Sequence, residues 1–289
     1  MNDYLVSVLL GIVEGLTEFL PVSSTAHLRI SEALLHINLT DPYWKMYTIV
    51  IQLGAILALL LVFAGRIIEF IRTFPEGEEH DRNFWNHPLT LTMVAFVVTA
   101  IPSLLLIKVI GKHLESLRIM ALSLLIGGVV MWVVDVWSDR GDPATKHVEQ
   151  MSLGQAIWIG LCQITSAVFP GTSRSMSTIT GGQIVGMSRP AALEFSFLVS
   201  IPVMVAATGY DLLRTLHPKH GAGAEAIAPL VMTGHGWIVL GIGFVVSFFV
   251  ALGVVEWFLQ WVRKHGFVPF AVYRIIVGIL LLVFAARLA

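Results

Sequence analysis

The chain has 289 residues, of which 56% are hydrophobic and only 13% are charged, against roughly 25% charged residues in a typical soluble domain. With a mean hydropathy of +0.81, this composition indicates a membrane protein that crosses the bilayer several times. The formal net charge is −1, so the chain has no overall basic field, and we expect no nucleic-acid partner.

In chain order, eight segments are apolar enough to enter a membrane. Six of them are long enough to cross roughly 30 Å of hydrocarbon, and they cover residues 46–64, 89–107, 119–137, 191–213, 236–262 and 266–286. The other two, 4–34 and 153–188, break at a proline and resume with hydroxyl residues and a charge, which is typical of re-entrant or broken helices. We predict one integral membrane domain over residues 1–289. Basic residues occur in nearly every loop, so they do not determine the orientation.

An internal repeat relates the two broken segments. Aligning residues 11–28 with 160–177 matches Gly11 with Gly160, Pro21 with Pro170 and Ser24 with Ser173, at a constant offset of 149. Residues 118–127 likewise resemble 274–283, which predicts a first repeat of about 1–140 and a second of about 150–289. A re-entrant segment plus three crossings reverses the direction of the next repeat. We therefore predict an all-α fold of six transmembrane helices and two re-entrant helical hairpins in an inverted-topology repeat, with the functional site where the hairpins meet.

The first broken segment carries two acids on one helical face. Ser7, Gly11, Glu14 and Glu18 are spaced by four, three and four residues, so they form a narrow polar stripe on a helix. A charged side chain at the bilayer centre costs about 2.5–3.5 kcal/mol on insertion scales. We expect both carboxylates to face protein or a water-filled cavity. The alternative is a helix that lies at the interface with its acids in water.

Hydroxyl residues follow the first proline. Pro21 ends one helix, and Ser23, Ser24 and Thr25 are good N-cap residues for the next. The N-terminus of a helix presents free N–H groups and the positive end of its dipole, which suits a phosphate group. His27 lies within the first turn of that helix, near the same site, although a lone histidine in an apolar setting is also compatible with a structural role.

The second break repeats the pattern with a cation. PGTSRSMST, residues 170–178, combines a proline, several hydroxyl residues and Arg174. A guanidinium keeps its charge and offers a fork of donors that matches phosphate oxygens. An alternative is a structural ion pair between Arg174 and Glu14 or Glu18, and the two interpretations are compatible, because a site can rest as an ion pair and open to substrate.

Four motifs together resemble the bacterial undecaprenyl-diphosphate phosphatase family, also called bacitracin-resistance proteins. They are EGLTEFLPVSSTAH (14–27), VIQLGAI (50–56), PGTSRSMST (170–178) and EFSFLVSIP (194–202). The resemblance implies a multi-pass enzyme of the bacterial inner membrane that hydrolyses undecaprenyl diphosphate to the monophosphate and inorganic phosphate, and so recycles the lipid carrier for peptidoglycan synthesis. It further implies a divalent cation, Mg²⁺ or Ca²⁺, a site open to the periplasmic or outer face, and a polyprenyl diphosphate lipid as partner besides membrane lipids. A homodimer is left open.

The resemblance also implies roles for individual residues. The catalytic residues are Glu18, Ser24, His27 and Arg174, the phosphate-binding residues are Ser23, Thr25, Ser173, Ser175 and Thr178, and the metal ligands are Glu14 and Glu18. As a hypothesis, Ser24 attacks the terminal phosphorus after Glu18 takes its proton, although direct attack by water is the alternative. His27 would activate water, protonate the leaving group or orient Ser24. Ala26 and Met176 stand where the family commonly has glycine, and Met176 is expected to narrow the phosphate site.

A second class of function shares this layout. Inverted repeats with broken helices and buried carboxylates also characterise ion-coupled transporters and lipid flippases. A transporter of polyprenyl phosphates would need the acids and the anion site but no nucleophile. Phosphate release by the purified protein distinguishes the two classes.

Overall fold

The computed structural model describes residues 2–38, 41–75, 83–106, 116–216 and 232–288. Eleven α-helices lie in these ranges: α1 Asp3–Thr17, α2 Ser24–Leu34, α3 Pro42–Val62, α4 Ala64–Thr73, α5 Pro88–Leu105, α6 Leu117–Ser138, α7 Leu153–Val168, α8 Arg174–Ile184, α9 Arg189–Leu216, α10 Gly234–Val262 and α11 Val268–Leu288. Within the described ranges there is no β-strand, only an isolated parallel bridge between Thr145 and Met187. The prediction of an all-α fold is confirmed.

Five helices, α3, α5, α6, α9 and α10, are long and apolar enough to cross a membrane. They coincide with five of the six predicted spans, and the multi-pass membrane class is thereby confirmed. The sixth predicted span, 266–286, corresponds to α11, whose apolar part is described as Val268–Val283. The two segments with a central proline each form a pair of shorter helices, α1–α2 and α7–α8, of 11 to 16 residues.

Contacts at one end of the bundle show that α1, α3 and α10 begin together. Nε2 of His235, in the first turn of α10, lies 3.0 Å from Oδ2 of Asp3, the first residue of α1. Tyr43, at the start of α3, donates its hydroxyl to the carbonyl oxygen of Gly236 at 2.8 Å. Because α1 and α3 enter at this end, the α1–α2 pair is anchored here.

At the opposite end, Arg66 forms ion pairs with three carboxylates. Arg66, which follows the end of α3, donates to Glu194 near the start of α9 at 2.9 Å and to Glu69 at 2.9 Å. It also pairs with Glu149, just before α7. Both α7 and α9 therefore begin where α3 ends, and the α7–α8 pair enters from the end opposite to the α1–α2 pair.

The glycines matched in the sequence repeat allow equivalent close approaches. A Cβ placed on Gly11 of α1 would lie 2.8 Å from the carbonyl oxygen of Gly243 on α10, and one placed on Gly160 of α7 would lie 2.8 Å from that of Ala95 on α5. Small residues are the usual means by which helices approach closely in membranes. The first helix of each pair, α1 or α7, thus packs its glycine directly against the backbone of a long helix.

A buried carboxylate fixes the position of the α7–α8 pair. Asp135 of α6 is fully buried and accepts hydrogen bonds at 2.8 Å from Nε2 of Gln183, Nε of Arg189 and the backbone N–H of Phe267. These partners come from α8, α9 and the connection between α10 and α11. Because these hydrogen bonds satisfy the buried carboxylate, Asp135 holds four parts of the chain together at the end of α8.

Candidate active site

The first break, residues 18–24, joins α1 to α2, and the second break, residues 169–174, joins α7 to α8. The two breaks share an unusual backbone geometry. Ser23 and Ser173 are the N-caps of α2 and α8, with φ of 75° and 73°, a region that non-glycine residues occupy only with strain. Their hydroxyls accept from the backbone N–H groups of Ala26 and Met176, both at 3.4 Å. The sequence alignment paired Ser24 with Ser173, whereas the capping geometry pairs Ser23 with Ser173, because the second break contains one more residue between its proline and its cap.

That extra length is accommodated by a glycine. Gly171, directly after the second proline, has φ of +90°, and a Cβ there would lie 2.7 Å from the carbonyl oxygen of Met120 on α6. Only glycine combines this backbone conformation with such a close approach. The second break is thereby seated against α6, and the helix that follows it starts at Arg174.

Glu18 connects the nucleophile predicted in the first break with the cation predicted in the second. Ser24 donates its hydroxyl hydrogen to Oε2 of Glu18 at 2.5 Å, and Oε1 of the same carboxylate lies 3.5 Å from Nη2 of Arg174. The side chains of Glu18 and Arg174 are only 9% and 12% exposed. Three of the predicted catalytic residues, 156 positions apart at the widest, therefore form one continuous contact.

Arg174 retains unused hydrogen-bonding capacity. Its Nη1 donates to the carbonyl oxygen of Ser196 on α9 at a long 3.4 Å, and its Nε is buried and lacks a partner among the described residues. A guanidinium held by two long contacts beside a serine is suited to receive an anion, because charge-assisted bonds to phosphate oxygens are shorter and stronger than these.

The predicted phosphate-binding hydroxyls differ in their surroundings. Ser175 is fully buried and donates to the carbonyl oxygen of Leu20 at 3.0 Å, so it binds the second break to the first. Thr178 lies between α8 and α9, with its hydroxyl 2.6 Å from that of Ser196. Ser173 lies 3.0 Å from Ser175, oxygen to oxygen, and Thr25 is exposed. In the conformation described, Ser175 and Thr178 hold the two breaks and α9 in place.

His27, in the first turn of α2, contacts Ser23 and Tyr273. Its Nδ1 is 2.7 Å from the carbonyl oxygen of Ser23, its Nε2 is 2.7 Å from the hydroxyl of Tyr273, and its ring stacks on that tyrosine. Both ring nitrogens are therefore engaged. These contacts link the N-cap of α2 to α11 and favour an orienting role over direct proton transfer. No motif in the sequence pointed to Tyr273.

Glu14 is the carboxylate with the most available oxygens. It is fully buried, and both of its side-chain oxygens lack a hydrogen-bond partner in the described part of the chain. No set of three or more His, Cys, Asp or Glu side chains suited to a metal ion occurs among the described residues. Two carboxylates nevertheless fit Mg²⁺, because it keeps several waters and is usually held by one or two carboxylates plus substrate phosphates. Glu14 and Glu18, four residues apart on one helix face, provide such a pair.

Arg274 is a site residue that the sequence analysis missed. This fully buried arginine of α11 donates to the carbonyl oxygens of Pro21 at 3.0 Å, of Gly171 at 3.2 Å and of Thr172 at 2.8 Å. It therefore holds the backbones of both breaks with one side chain. The available signal was a charged residue within an apolar span, which is a candidate functional residue by default.

Comparisons with known proteins agree with this geometry. The family model of the bacitracin resistance protein BacA matches residues 7–280. An undecaprenyl-diphosphatase of Koribacter versatilis is 64% identical over 288 residues, which cover 99% of this chain and 100% of that protein. Proteins of the same name from Caldanaerobacter subterraneus subsp. tengcongensis and Thermus thermophilus are 40% and 41% identical, over 96% and 93% of this chain and 95% and 92% of theirs. Because these matches extend over nearly the whole chain, it belongs to the bacitracin resistance protein BacA family.

Proposed function

We propose that this protein is an integral membrane phosphatase that hydrolyses undecaprenyl diphosphate to undecaprenyl phosphate and inorganic phosphate. The full-length relatives carry the name of this activity. The observation that carries the proposal is the placement of one buried carboxylate, Glu18, between the hydroxyl of Ser24 and the guanidinium of Arg174. The reaction returns the lipid carrier to peptidoglycan synthesis.

The contact between Ser24 and Glu18 supplies the nucleophile. Glu18 accepts the hydroxyl proton as Oγ of Ser24 attacks the terminal phosphorus, and the bond from that phosphorus to the bridging oxygen breaks. Undecaprenyl phosphate leaves with that oxygen. Water then attacks the phosphoserine, gives inorganic phosphate and restores the hydroxyl of Ser24. In the alternative pathway, water attacks directly and Ser24 is a ligand of the phosphate.

The second break stabilises the charge that develops during transfer. Arg174, with its free Nε and two weakly engaged terminal nitrogens, is placed to bind the equatorial oxygens of the transferred phosphoryl group. We assign phosphate binding also to the hydroxyls of Ser23, Thr25 and Ser173 and to the first backbone N–H groups of α2 and α8, where Ser23 and Ser173 are the N-caps. His27 acts as a positioning residue, since its contacts hold the N-cap of α2.

A divalent cation, Mg²⁺ or Ca²⁺, fits the carboxylates of the first break. Glu14 and Glu18 would hold it, and Glu14 is suited to this because its two oxygens are otherwise unpartnered within the described residues. When bound, such a cation neutralises charge on the diphosphate and on the leaving phosphate.

We also propose that the architecture is an inverted-topology repeat of six transmembrane helices and two re-entrant hairpins, with repeats of about 1–140 and 150–289. Support comes from the entry of the α1–α2 and α7–α8 pairs at opposite ends, and from the matched contacts of Gly11 and Gly160. In such folds the site lies near the bilayer midplane. We place the protein in the bacterial inner membrane, with its site facing the periplasmic side.

The test is phosphate release by the purified protein from undecaprenyl diphosphate in detergent. We expect turnover by the wild type and a loss of roughly 10²–10³-fold or more in kcat for Ser24→Ala and for Arg174→Ala. Arg72→Ala, which removes an exposed arginine of α4, is the control and should retain full activity. Wild-type protein that releases no phosphate yet moves polyprenyl phosphates across vesicles would replace the phosphatase by a flippase.

A further inference from the structure

A groove runs along one side of α8. It is enclosed by α6, α7 and α8 and has a volume of about 730 Å³, within the roughly 300–1,000 Å³ usual for small-molecule sites. Met176, Thr180, Gly181 and Ile184 belong to its α8 wall. Their spacing of four, one and three residues places them on one face of the helix.

Three hydroxyl groups of the groove donate to backbone carbonyl oxygens. Thr165 donates to the carbonyl oxygen of Cys162 at 2.7 Å, Thr172 donates to that of Phe169 at 2.7 Å, and the hydroxyl of Ser177 donates to a backbone carbonyl of its own helix at 3.1 Å. The buried hydroxyl of Thr180 lacks a partner among the described residues, and most of the other side chains that line the groove are apolar. The groove is therefore suited to a hydrocarbon occupant.

One end of the groove lies at the second break. Thr172, which lines this end, immediately precedes Ser173 and Arg174, while Ile184 lines the other end. Ten residues of helical rise separate Arg174 from Ile184, the first and last residues of α8, a distance of about 15 Å at 1.5 Å per residue. A molecule with its phosphates at the second break and a hydrocarbon chain attached to them would place the first part of that chain in the groove.

Met176 lies in the groove, not in the phosphate site. It is two positions from Arg174, which corresponds to about 200° around an α-helix, and the two side chains accordingly contact different neighbours. Arg174 contacts Glu18, whereas a Cβ placed on Gly127 of α6 would lie 3.4 Å from Cε of Met176. The expectation that Met176 narrows the phosphate site is therefore replaced by a narrowing of the groove close to its phosphate end.

We propose that this groove binds the isoprenoid chain of the substrate next to its phosphates, and that Met176 sets its width there. The inference rests on the proposed function for the identity of the lipid. Continuity between the groove and the second break points to this occupant, since a lipid with a phosphate head group matches an apolar channel that begins at Thr172, next to Ser173 and Arg174.

Photocrosslinking tests the proposal without requiring turnover. The probe is a polyprenyl phosphate with a diazirine in the isoprene units nearest the phosphate, incubated with the detergent-purified protein. We expect labels on groove residues such as Ile126 and Val168, reduced at least fivefold by excess undecaprenyl phosphate. Labels that survive this competition and fall equally on the outward faces of other helices, for example on exposed Val245 and Phe249 of α10, would mean ordinary lipid contact and would overturn the proposal.

A matched pair of variants tests the same groove kinetically. Val130 lines it and is 40% exposed, whereas its neighbour Val129 lies outside it and is 47% exposed. We expect Val130→Trp to raise KM for undecaprenyl diphosphate at least fivefold and to leave hydrolysis of a short, water-soluble prenyl diphosphate unchanged. Val129→Trp should change neither, and identical behaviour of the two variants would overturn the assignment. Groove labels from a protein that releases no phosphate would overturn the phosphatase proposal alone.

Discussion

The two breaks have nearly the same backbone and opposite chemistry. Each follows a proline, each has a serine N-cap with φ near 75°, and each starts an 11-residue helix. The first break brings Glu18 and Ser24, and the second brings Arg174. The two copies therefore have the same backbone geometry but different side chains: the first copy carries the acid and the second carries the cation.

The aligned positions show how this division gives one site. With the offset of 149, Glu14 corresponds to Gln163, and Glu18 corresponds to Ala167. Gln163 is buried like Glu14, and its polar atoms are also unpartnered in the described part of the chain. The second copy thus keeps a polar group at the first position but has no proton acceptor at the second. A single reaction centre follows, because the acid exists in one copy only.

The largest expected effect comes from making the first break resemble the second. Glu18→Ala should lower kcat for phosphate release by about 10²–10⁴-fold, because Ser24 loses its proton acceptor. Glu18→Gln, which keeps the size and removes the charge, should lose as much. Adding Ala167→Glu to Glu18→Ala should restore nothing. More than one-tenth of wild-type activity in Glu18→Gln would exclude Glu18 as the base.

The next effect concerns the side chain that holds both breaks. Arg274→Met leaves the carbonyl oxygens of Pro21, Gly171 and Thr172 without their donor, and each buried unsatisfied group costs about 1–3 kcal/mol. We expect the free energy of unfolding to fall by about 3 kcal/mol or more, measured as a lower melting temperature in detergent. Arg118→Met, at the aligned and exposed position of α6, is the control and should change stability by less than about 0.5 kcal/mol. Equal melting temperatures would contradict the role of Arg274.

A smaller effect is expected at the other aligned pair. Glu14→Gln gives the first break the residue of the second, and it should raise the Mg²⁺ concentration for half-maximal activity by roughly tenfold, the lower end of the loss seen for groups that support a metal site. The measurement is a magnesium titration of phosphate release. Gln163→Ala should leave the titration unchanged. If both variants titrate like the wild type, Glu14 is not a ligand.

The smallest effect separates the N-cap bond from the backbone strain. Ser23→Ala and Ser173→Ala lose a cap and should each lower stability by about 0.5–2 kcal/mol. Ser23→Gly and Ser173→Gly should be less harmful than the alanine variants, because glycine adopts positive φ without strain. Thermal unfolding of the four variants provides the comparison. A glycine variant less stable than its alanine counterpart would show that these φ values impose no strain.

Much of the architecture was predictable because it depends on local chemistry. Pro21 and Pro170 interrupt helices wherever they occur, and the spacing of Glu14 and Glu18 places them on one helix face in any tertiary setting. The apolar lengths predicted the spans. His27 was read correctly as part of the first turn of α2, but its partner Tyr273 is 246 positions away, and no local pattern connects the two.

Arg274 and Met176 show what local patterns leave undetermined. Both residues were visible in the sequence, one as a charge in an apolar span and one as a departure from glycine. Their roles depend on which helix faces them: α6 supplies Gly127, beside which both side chains lie, and the two breaks supply the carbonyl oxygens that Arg274 binds.

By itself, the sequence determined that this protein is helical, crosses a membrane and carries two proline breaks with complementary polar residues, because apolar length, helical period and the missing N–H of proline act within a few residues. Only the tertiary structure decided that Glu18 lies between Ser24 and Arg174, that Arg274 holds both breaks, and that an apolar groove leads away from them. The contacts of Glu18 with Arg174 and of Arg274 with both breaks join residues more than a hundred positions apart, and they depend on how helices that enter from opposite ends pack together. The groove forms where α6, α7 and α8 pack against one another.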